Sequence, residues 1–212
     1  MFNIEKYQEI SSFLKKNNKN TKIIAVSKNH PKESVLKAIQ SGVLIFGENR
    51  VVEANDKFSE LKKNFSKIEL HLTGPLQSNK VKLATNLFDV FHTLDREKIA
   101  NEFVKYKDNL KNKKIFIQVN TGEESTKSGI KPKNVTEFIN YCKLDLSLNI
   151  VGLMCIPPFD EDPKIHFKTL LSLANENELS DLSIGMSNDY KLALEFNPSY
   201  IRLGTILFGK RN

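Results

Sequence analysis

Apolar and polar positions along this chain follow two alternating periods. Short, nearly continuous apolar runs rich in β-branched residues recur at positions 22–28, 44–48, 69–73, 90–94, 114–120, 150–156, 182–185 and 200–203. Such runs suit strands covered on both faces in a parallel sheet. Between them the apolar spacing lengthens to that of helices. Pro31-Lys32-Glu33-Ser34 opens one helix, with proline tolerated in the first turn. Val35, Leu36 and Ile39 recur at helical spacing in it, and Gly42 closes it. Asp95 is placed to cap a second. Asp162-Pro163 precedes a third, whose Phe167, Leu170, Leu171 and Ala174 share a face with His166. A further helix at 3–17 precedes the first strand, and the shortest spans 188–196.

This strand–helix alternation implies parallel strands joined by crossover helices. Eight such units predict an α/β fold, a single (β/α)8 TIM-type barrel with an extra N-terminal helix, spanning residues 1–212 as one domain. An open doubly wound sheet is the alternative. It would carry a glycine-rich turn after its first strand, where this chain has Ser27-Lys28-Asn29-His30. No helix is expected after the last strand, so the N-terminal helix is expected to fill that slot.

Composition narrows the class. Hydrophobic residues make up 40% and charged residues 27% of the chain, ordinary globular values. No apolar run reaches the ~20 residues of a membrane span. The N-terminus has no basic-then-apolar leader. Cys142 and Cys155 form no metal or disulfide pattern. These readings place the protein in the cytoplasm, off the membrane. The net charge of +7 comes from lysines scattered among Asn and Glu, with Arg only at 50, 96, 202 and 211. That pattern reads as a solvated surface rather than a nucleic-acid footprint.

In a barrel of this kind, chemistry sits at the C-terminal ends of the strands. Polar residues collect there: Lys28, Glu48-Asn49-Arg50, Thr73-Gly74, His92-Thr93, Asn120, Ser187-Asn188-Asp189 and Gly204-Thr205. Lys28 follows the apolar run Ile23-Ile24-Ala25-Val26-Ser27, and partial desolvation there favours a neutral, nucleophilic amine. Spacing alone leaves open a strand-end lysine that simply reaches water. Ser187, Asn188, Gly204 and Thr205 lie in the two loops where barrels often bind phosphate. A helix cap and a strand-end turn read as well from the same residues. Arg202 alternates with Gly204 onto the inner face, where a buried guanidinium needs a partner: a ring nitrogen, a carboxylate, or a core ion pair with Glu48. His71, His92 and His166 do not share metal-ligand spacing, so each reads as a satisfied structural histidine and no metal is expected.

Several segments also follow, in order and spacing, those of a known family. They are Ala25-Val26-Ser27-Lys28, Phe46-Gly47-Glu48-Asn49, His71-Leu72-Thr73-Gly74-Pro75-Leu76-Gln77-Ser78-Asn79-Lys80, Gln118-Val119-Asn120, Lys127-Ser128-Gly129, Gly152-Leu153-Met154, Gly185-Met186-Ser187-Asn188-Asp189 and Arg202-Leu203-Gly204-Thr205-Ile206-Leu207-Phe208-Gly209. Between Lys22 and Arg211 the chain resembles the pyridoxal-phosphate homeostasis proteins, which are similar to the barrel domain of alanine racemase. The resemblance implies that the cofactor is pyridoxal 5′-phosphate, held as a Schiff base on Lys28. It assigns Ser187, Asn188, Gly204 and Thr205 to the phosphate, Arg202 to the pyridine nitrogen and Asn49 to the ring. Leu76 to Lys80 and Arg50 receive no role.

An arginine at the ring nitrogen only donates hydrogen bonds, so it leaves that nitrogen unprotonated and the ring a weak electron sink. Racemisation then needs a well-placed second base. None of Tyr7, Tyr106, Tyr141, Tyr190 and Tyr200 falls at an expected strand end. The first expectation is therefore a monomeric, non-catalytic protein that stores or delivers pyridoxal phosphate, with pyridoxal-phosphate-dependent apoenzymes as partners. The alternatives are an amino-acid racemase or related isomerase and, more weakly, a nucleic-acid or ribosome-surface binder.

Overall fold

The computed structural model describes residues 2–17 and 19–209; positions 1, 18 and 210–212, which include the far ends of the expected domain and of the family resemblance, lie outside it. Eight parallel strands close into one barrel in sequential order. They are β1 (Lys22–Val26), β2 (Ile45–Glu48), β3 (Glu69–Leu72), β4 (Val90–Leu94), β5 (Lys114–Val119), β6 (Ile150–Cys155), β7 (Asp181–Ser183) and β8 (Tyr200–Leu203). Closure is made where Ile24 pairs with Arg202 and Ala25 with Leu203. The helices are α1 (Ile4–Lys16), α2 (Lys32–Gln40), α3 (Val51–Asn64), α4 (Val81–Leu87), α5 (Glu97–Val104), α6 (Lys107–Leu110), α7 (Val135–Asn140), α8 (Pro163–Glu176), α9 (Tyr190–Ala193) and α10 (Thr205–Phe208).

Several strands stop short of their expected ends because the following residues leave the ladder for local bonds. β1 ends at Val26. Ser27 still donates its amide to Gly47, but Asn29 turns to φ 61° and carries Lys28 into a loop. The expected cap of α5 is also corrected. Arg96 holds the N-cap position, while Asp95 is buried and accepts from the Arg96 guanidinium at 2.5 Å. Asp162 does cap α8, accepting from the Lys164 amide with Pro163 in the first turn.

A one-turn helix, α10, follows β8, where none was expected. It provides the platform for α1. Asn3 caps α1 by accepting from the Lys6 amide, and its own amide donates to Leu207 at 2.7 Å. The Phe2 ring lies 5.2 Å from that of Phe208. Ile10 and Leu14 are the buried side of α1. The N-terminal helix and α10 thus share the position of an eighth crossover helix.

Two apolar clusters result. The outer one lies between sheet and helices and contains Phe46, Phe58, Phe91, Phe103 and Phe167. Truncating one such buried ring to Ala typically costs ~3–5 kcal/mol. The inner one is built from Ile24, Val26, Val90, Phe116, Met154 and Tyr200. Four polar side chains are buried beside it: His71, His92, Ser183 and Arg202. His92 stacks on Phe116 at 4.6 Å and meets the edge of Tyr200 at 5.6 Å. Burial lowers the pKa of His71 and pushes that of His92 well below the usual histidine value.

Both imidazoles are therefore neutral in the fold, and the sign of the acid response follows. Their full stability is present above the unfolded histidine pKa of about 6.5. Below it the unfolded chain takes up protons that the fold refuses, so stability falls until the depressed native pKa values are passed. Each histidine contributes a slope of up to ~1.4 kcal/mol per pH unit. Urea unfolding at a series of pH values is expected to show this decline below pH ~6.5, and His92→Phe, whose ring retains the stacking on Phe116, is expected to make it shallower.

Candidate functional site

The loop after β1 is fixed from beneath. The Ser27 hydroxyl donates to Glu48 Oε1 at 2.7 Å. Lys57, from α3, inserts its ammonium below the loop and donates to the carbonyls of Ser27 and His30 at 2.9 and 3.2 Å. The same ammonium lies 2.6 Å from Glu48 and 2.9 Å from Glu53. Glu53 in turn accepts from the Asn29 amide at 2.6 Å. Burial raises the Glu48 carboxyl pKa, against the pull of Lys57. Lys28 sits half-buried on this anchored turn, and the His30 ring stacks on Phe208 at 5.2 Å.

The loops after β2 and β3 meet through Asn49. Thr73 donates its hydroxyl to Asn49 Oδ1 at 3.0 Å. A Cβ on Gly74 would stand 2.4 Å from the Asn49 carbonyl, so only glycine allows this approach. The loop after β7 turns at Gly185, with φ +89°. The Asp189 carboxylate then folds the turn back by accepting from the Met186 amide at 2.5 Å. Ser187 Oγ accepts from the Ile206 amide at 3.3 Å, which ties this loop to the start of α10.

Arg202 rises from β8 into the lumen and is 5% exposed. It does not pair with Glu48, which belongs to Lys57. Its NH1 donates to the Ser183 carbonyl at 2.6 Å and the Ser183 hydroxyl at 2.8 Å, and its NH2 donates to the Cys155 carbonyl at 2.9 Å. Burial lowers its pKa, countered by the Cys155 thiol and Asp189. Among the described residues it makes no carboxylate ion pair, so a buried cation is held by neutral acceptors alone. The Cys155 thiol beneath it is pushed up to about 12 by burial, which makes it unreactive.

These loops enclose one cavity of about 260 Å³ at the C-terminal mouth of the barrel. Its lining includes the seven residues that the family resemblance assigns to the cofactor: Lys28, Asn49, Ser187, Asn188, Arg202, Gly204 and Thr205. Val26, His30, Thr73, Ile156 and Met186 complete it. Of these, Thr73 and His30 were visible in the sequence as polar residues next to strand ends. None of the five tyrosines lines the cavity. His92-Thr93 and Asn120, also strand-end candidates, lie away from it. Among the described residues no group of acids, histidines and cysteines is placed to hold a metal, and no helix is long and apolar enough to cross a membrane.

What the lining can do chemically is definite. It offers a lysine amine at the rim, a donor-only guanidinium at the floor, two hydroxyls beside a glycine, and apolar walls from Val26, Ile156 and Met186. Such a set suits a flat, anionic molecule with a reactive carbonyl.

Comparison with known proteins identifies relatives over nearly the whole chain. The sequence matches the family described as alanine racemase, N-terminal domain, over residues 4–212. It is 36% identical to the pyridoxal phosphate homeostasis protein of Aquifex aeolicus, across 90% of this chain and 87% of that protein. The same-named protein of Buchnera aphidicola is 38% identical, across 95% and 93%. PipY of Synechococcus elongatus, solved with PLP bound, superposes with a TM-score of 0.85 at 30% identity, covering 97% of this chain and 99% of that one. Alanine racemase from Acinetobacter baumannii shares the fold at a TM-score of 0.75 and 16% identity, with 98% of this chain matching 62% of the enzyme. The chain belongs to the pyridoxal phosphate homeostasis proteins, a branch of the alanine racemase N-terminal domain family.

Proposed function

We propose that this protein binds pyridoxal 5′-phosphate as a Schiff base on Lys28 and takes part in intracellular pyridoxal-phosphate homeostasis, storing or delivering the cofactor without turning over a substrate. The observation that carries this reading is the single cavity at which Lys28, Arg202 and the Ser187, Gly204 and Thr205 loops meet. The names of the relatives and the PLP-bound PipY structure support it.

The lining fits the group. Lys28 Nζ would supply the amine for a Schiff base with the cofactor's aldehyde, with release of water. The hydroxyls of Ser187 and Thr205, with the Asn188 side chain and the backbone beside Gly204, take the phosphate. Asn49 is placed beside the ring by Thr73, and Arg202 presents a donor to the ring nitrogen. When bound, the cofactor supplies an electron-withdrawing ring able to stabilise negative charge on carbon. Arg202 cannot accept a proton from that ring and limits its strength as an electron sink.

None of the five tyrosines lines the cavity, and its one histidine, His30, is stacked on Phe208, which supports storage over turnover. The shared barrel alone does not argue for racemisation, since fold does not carry function. The protein acts as a cytoplasmic monomer that hands cofactor to pyridoxal-phosphate-dependent apoenzymes, with its two cysteines free and buried.

Three measurements test this reading. Borohydride reduction of the cofactor-loaded protein, followed by peptide mass mapping, is expected to place the pyridoxyl group on Lys28, and Lys28→Ala to abolish it. Label spread over surface lysines would overturn the assignment. Ser187→Ala and Thr205→Val are each expected to weaken pyridoxal phosphate about tenfold, the scale of one hydrogen bond to a charged group. Pyridoxal without its phosphate is expected to bind both variants as it binds the parent. Incubation of the loaded protein with L-amino acids in deuterated water is expected to give no Lys28-dependent exchange at Cα, and robust exchange would replace storage with racemisation.

A further inference from the structure

The two histidines of the lumen are joined to Arg202 by an unbroken line of hydrogen bonds. Glu69 Oε1 lies 2.6 Å from His71 Nε2. His71 Nδ1 lies 2.8 Å from His92 Nε2. His92 Nδ1 lies 2.9 Å from Ser183 Oγ. Ser183 Oγ lies 2.8 Å from Arg202 NH1. The line starts at the N-terminal end of β3, passes through β4, crosses the lumen to β7 and ends on β8 inside the cavity. His71, His92 and Ser183 are each 0% exposed. Phe116 and Tyr200 pack around the imidazoles and leave them no other solvent.

The two ends fix the direction. A guanidinium only donates, and a carboxylate only accepts. Arg202 therefore donates to Ser183 Oγ, and the Ser183 hydroxyl donates to His92 Nδ1. His92 carries its proton on Nε2 and donates to His71 Nδ1, and His71 carries its proton on Nε2 and donates to Glu69. Each imidazole is neutral and held in a single tautomer.

We propose that Glu69, His71, His92 and Ser183 are positioning residues for the cofactor site: they form a one-way hydrogen-bonded relay that holds Arg202 from the opposite end of the barrel. That the held end faces a pyridine ring rests on the function proposed above. The relay carries two consequences. Glu69 balances the Arg202 charge through four polarised bonds instead of by contact, which leaves the guanidinium free to donate into the cavity. The relay is also proton-linked. One extra proton placed on His71 Nδ1 makes His71 donate upward; His92 then carries its proton on Nδ1 instead of Nε2 and donates to Ser183 Oγ, and the Ser183 hydroxyl turns away. Ser183 Oγ then accepts from His92 and Arg202 together, so a protonation at the foot of the barrel alters the hydrogen bonding of Arg202.

The charged groups around the line favour the neutral state. Burial acts against a proton on both imidazoles, and Lys22 of β1 opposes one on His71. Arg202 of β8 opposes one on His92. Glu69 and Asp89, which precedes β4, act the other way on His71. The bond from His71 keeps the Glu69 carboxyl below its usual range against its burial, with smaller help from Lys22 and from Lys114 of β5. Burial, then Glu69 and Asp181 of β7, raise the pKa of Tyr200, so the ring beside His71 stays neutral. The elements β2 and β6 present Gly47 and Met154 to the lumen, neither of which titrates.

The first test needs no cofactor. Nitrogen-15 spectra of histidine-labelled protein at neutral pH are expected to show His71 and His92 neutral, each protonated on Nε2. An Nδ1–H tautomer at either residue, or a charged His71, overturns the relay. The second test reads the visible absorption band of the pyridoxal-phosphate adduct against pH. Ser183→Ala and Glu69→Gln are expected to move its titration midpoint by about half a unit or more, and Ser183→Thr to restore it. Midpoints unchanged in both variants, even with lowered thermal stability, overturn the coupling and leave a merely structural line. Glu69→Gln keeps an acceptor at a half-exposed position, so it gives the answer if Ser183→Ala does not fold. Failure of borohydride to mark Lys28 overturns the cofactor reading and the ring-facing part of this proposal, whatever the tautomers; wrong tautomers beside a normal Lys28 adduct overturn the relay alone.

Discussion

A parallel sheet closed on itself has one rim at which every strand ends, and all residues just beyond a strand are delivered to it. Closure here rests on the pairing of β1 with β8, which sets Lys28 and Arg202 on adjoining elements although they lie far apart in sequence. The cavity is correspondingly off-centre. Its lining comes from β1, β2, β3, β6, β7 and β8 or the loops that follow them, and none of it from β4 or β5. The side of the barrel that lends nothing to the cavity instead supplies Phe116 and His92 to the lumen.

Polar groups in that lumen are tolerated because each is satisfied. A buried guanidinium beside apolar neighbours carries a heavy desolvation cost unless its donors find acceptors. Two carbonyls and a hydroxyl meet that need without cancelling the charge locally. The Lys57 network under the Lys28 loop shows the opposite arrangement, with an ammonium held by two carboxylates in direct contact. One charge is neutralised where it stands and fixes a backbone turn; the other is left available at the cavity floor.

The strand pattern was legible because buried parallel strands are nearly continuous in apolar character, and β4 and β8 fall where their runs do. The rim residues were legible because closure decides where strand ends go. Less local features were not. Asp95 has the chemistry of a cap, but its neighbour Arg96 captures its carboxylate. The turn of helix at Thr205–Phe208 is too short for periodicity to declare. His71 and His92 showed no common spacing. Their meeting depends on the β3–β4 register, which pairs His71 with Val90 and sets the two rings across adjoining strands. Ser183 joins them from 91 residues downstream. The available signal was parity, since Glu69 and His71 alternate onto one face of a strand, but parity alone names no partner.

The bond from the Asn3 amide to the Leu207 carbonyl has a bearing on biosynthesis. Ribosomes release a chain from its N-terminus, so the first helix emerges long before the Phe208 ring against which Phe2 packs. Until Tyr200–Leu203 follows, β1 presents an open edge and Ile10 and Leu14 lack part of their cover. Contacts between the ends of a chain are slow to form, and unpaired edges invite association in the meantime. Until then the sheet keeps an unpaired edge, and the same last segment that closes the barrel also brings its residues to the cavity lining. A polypeptide arrested before that segment lacks both the strand that closes the barrel and three residues of the cavity lining, Arg202, Gly204 and Thr205.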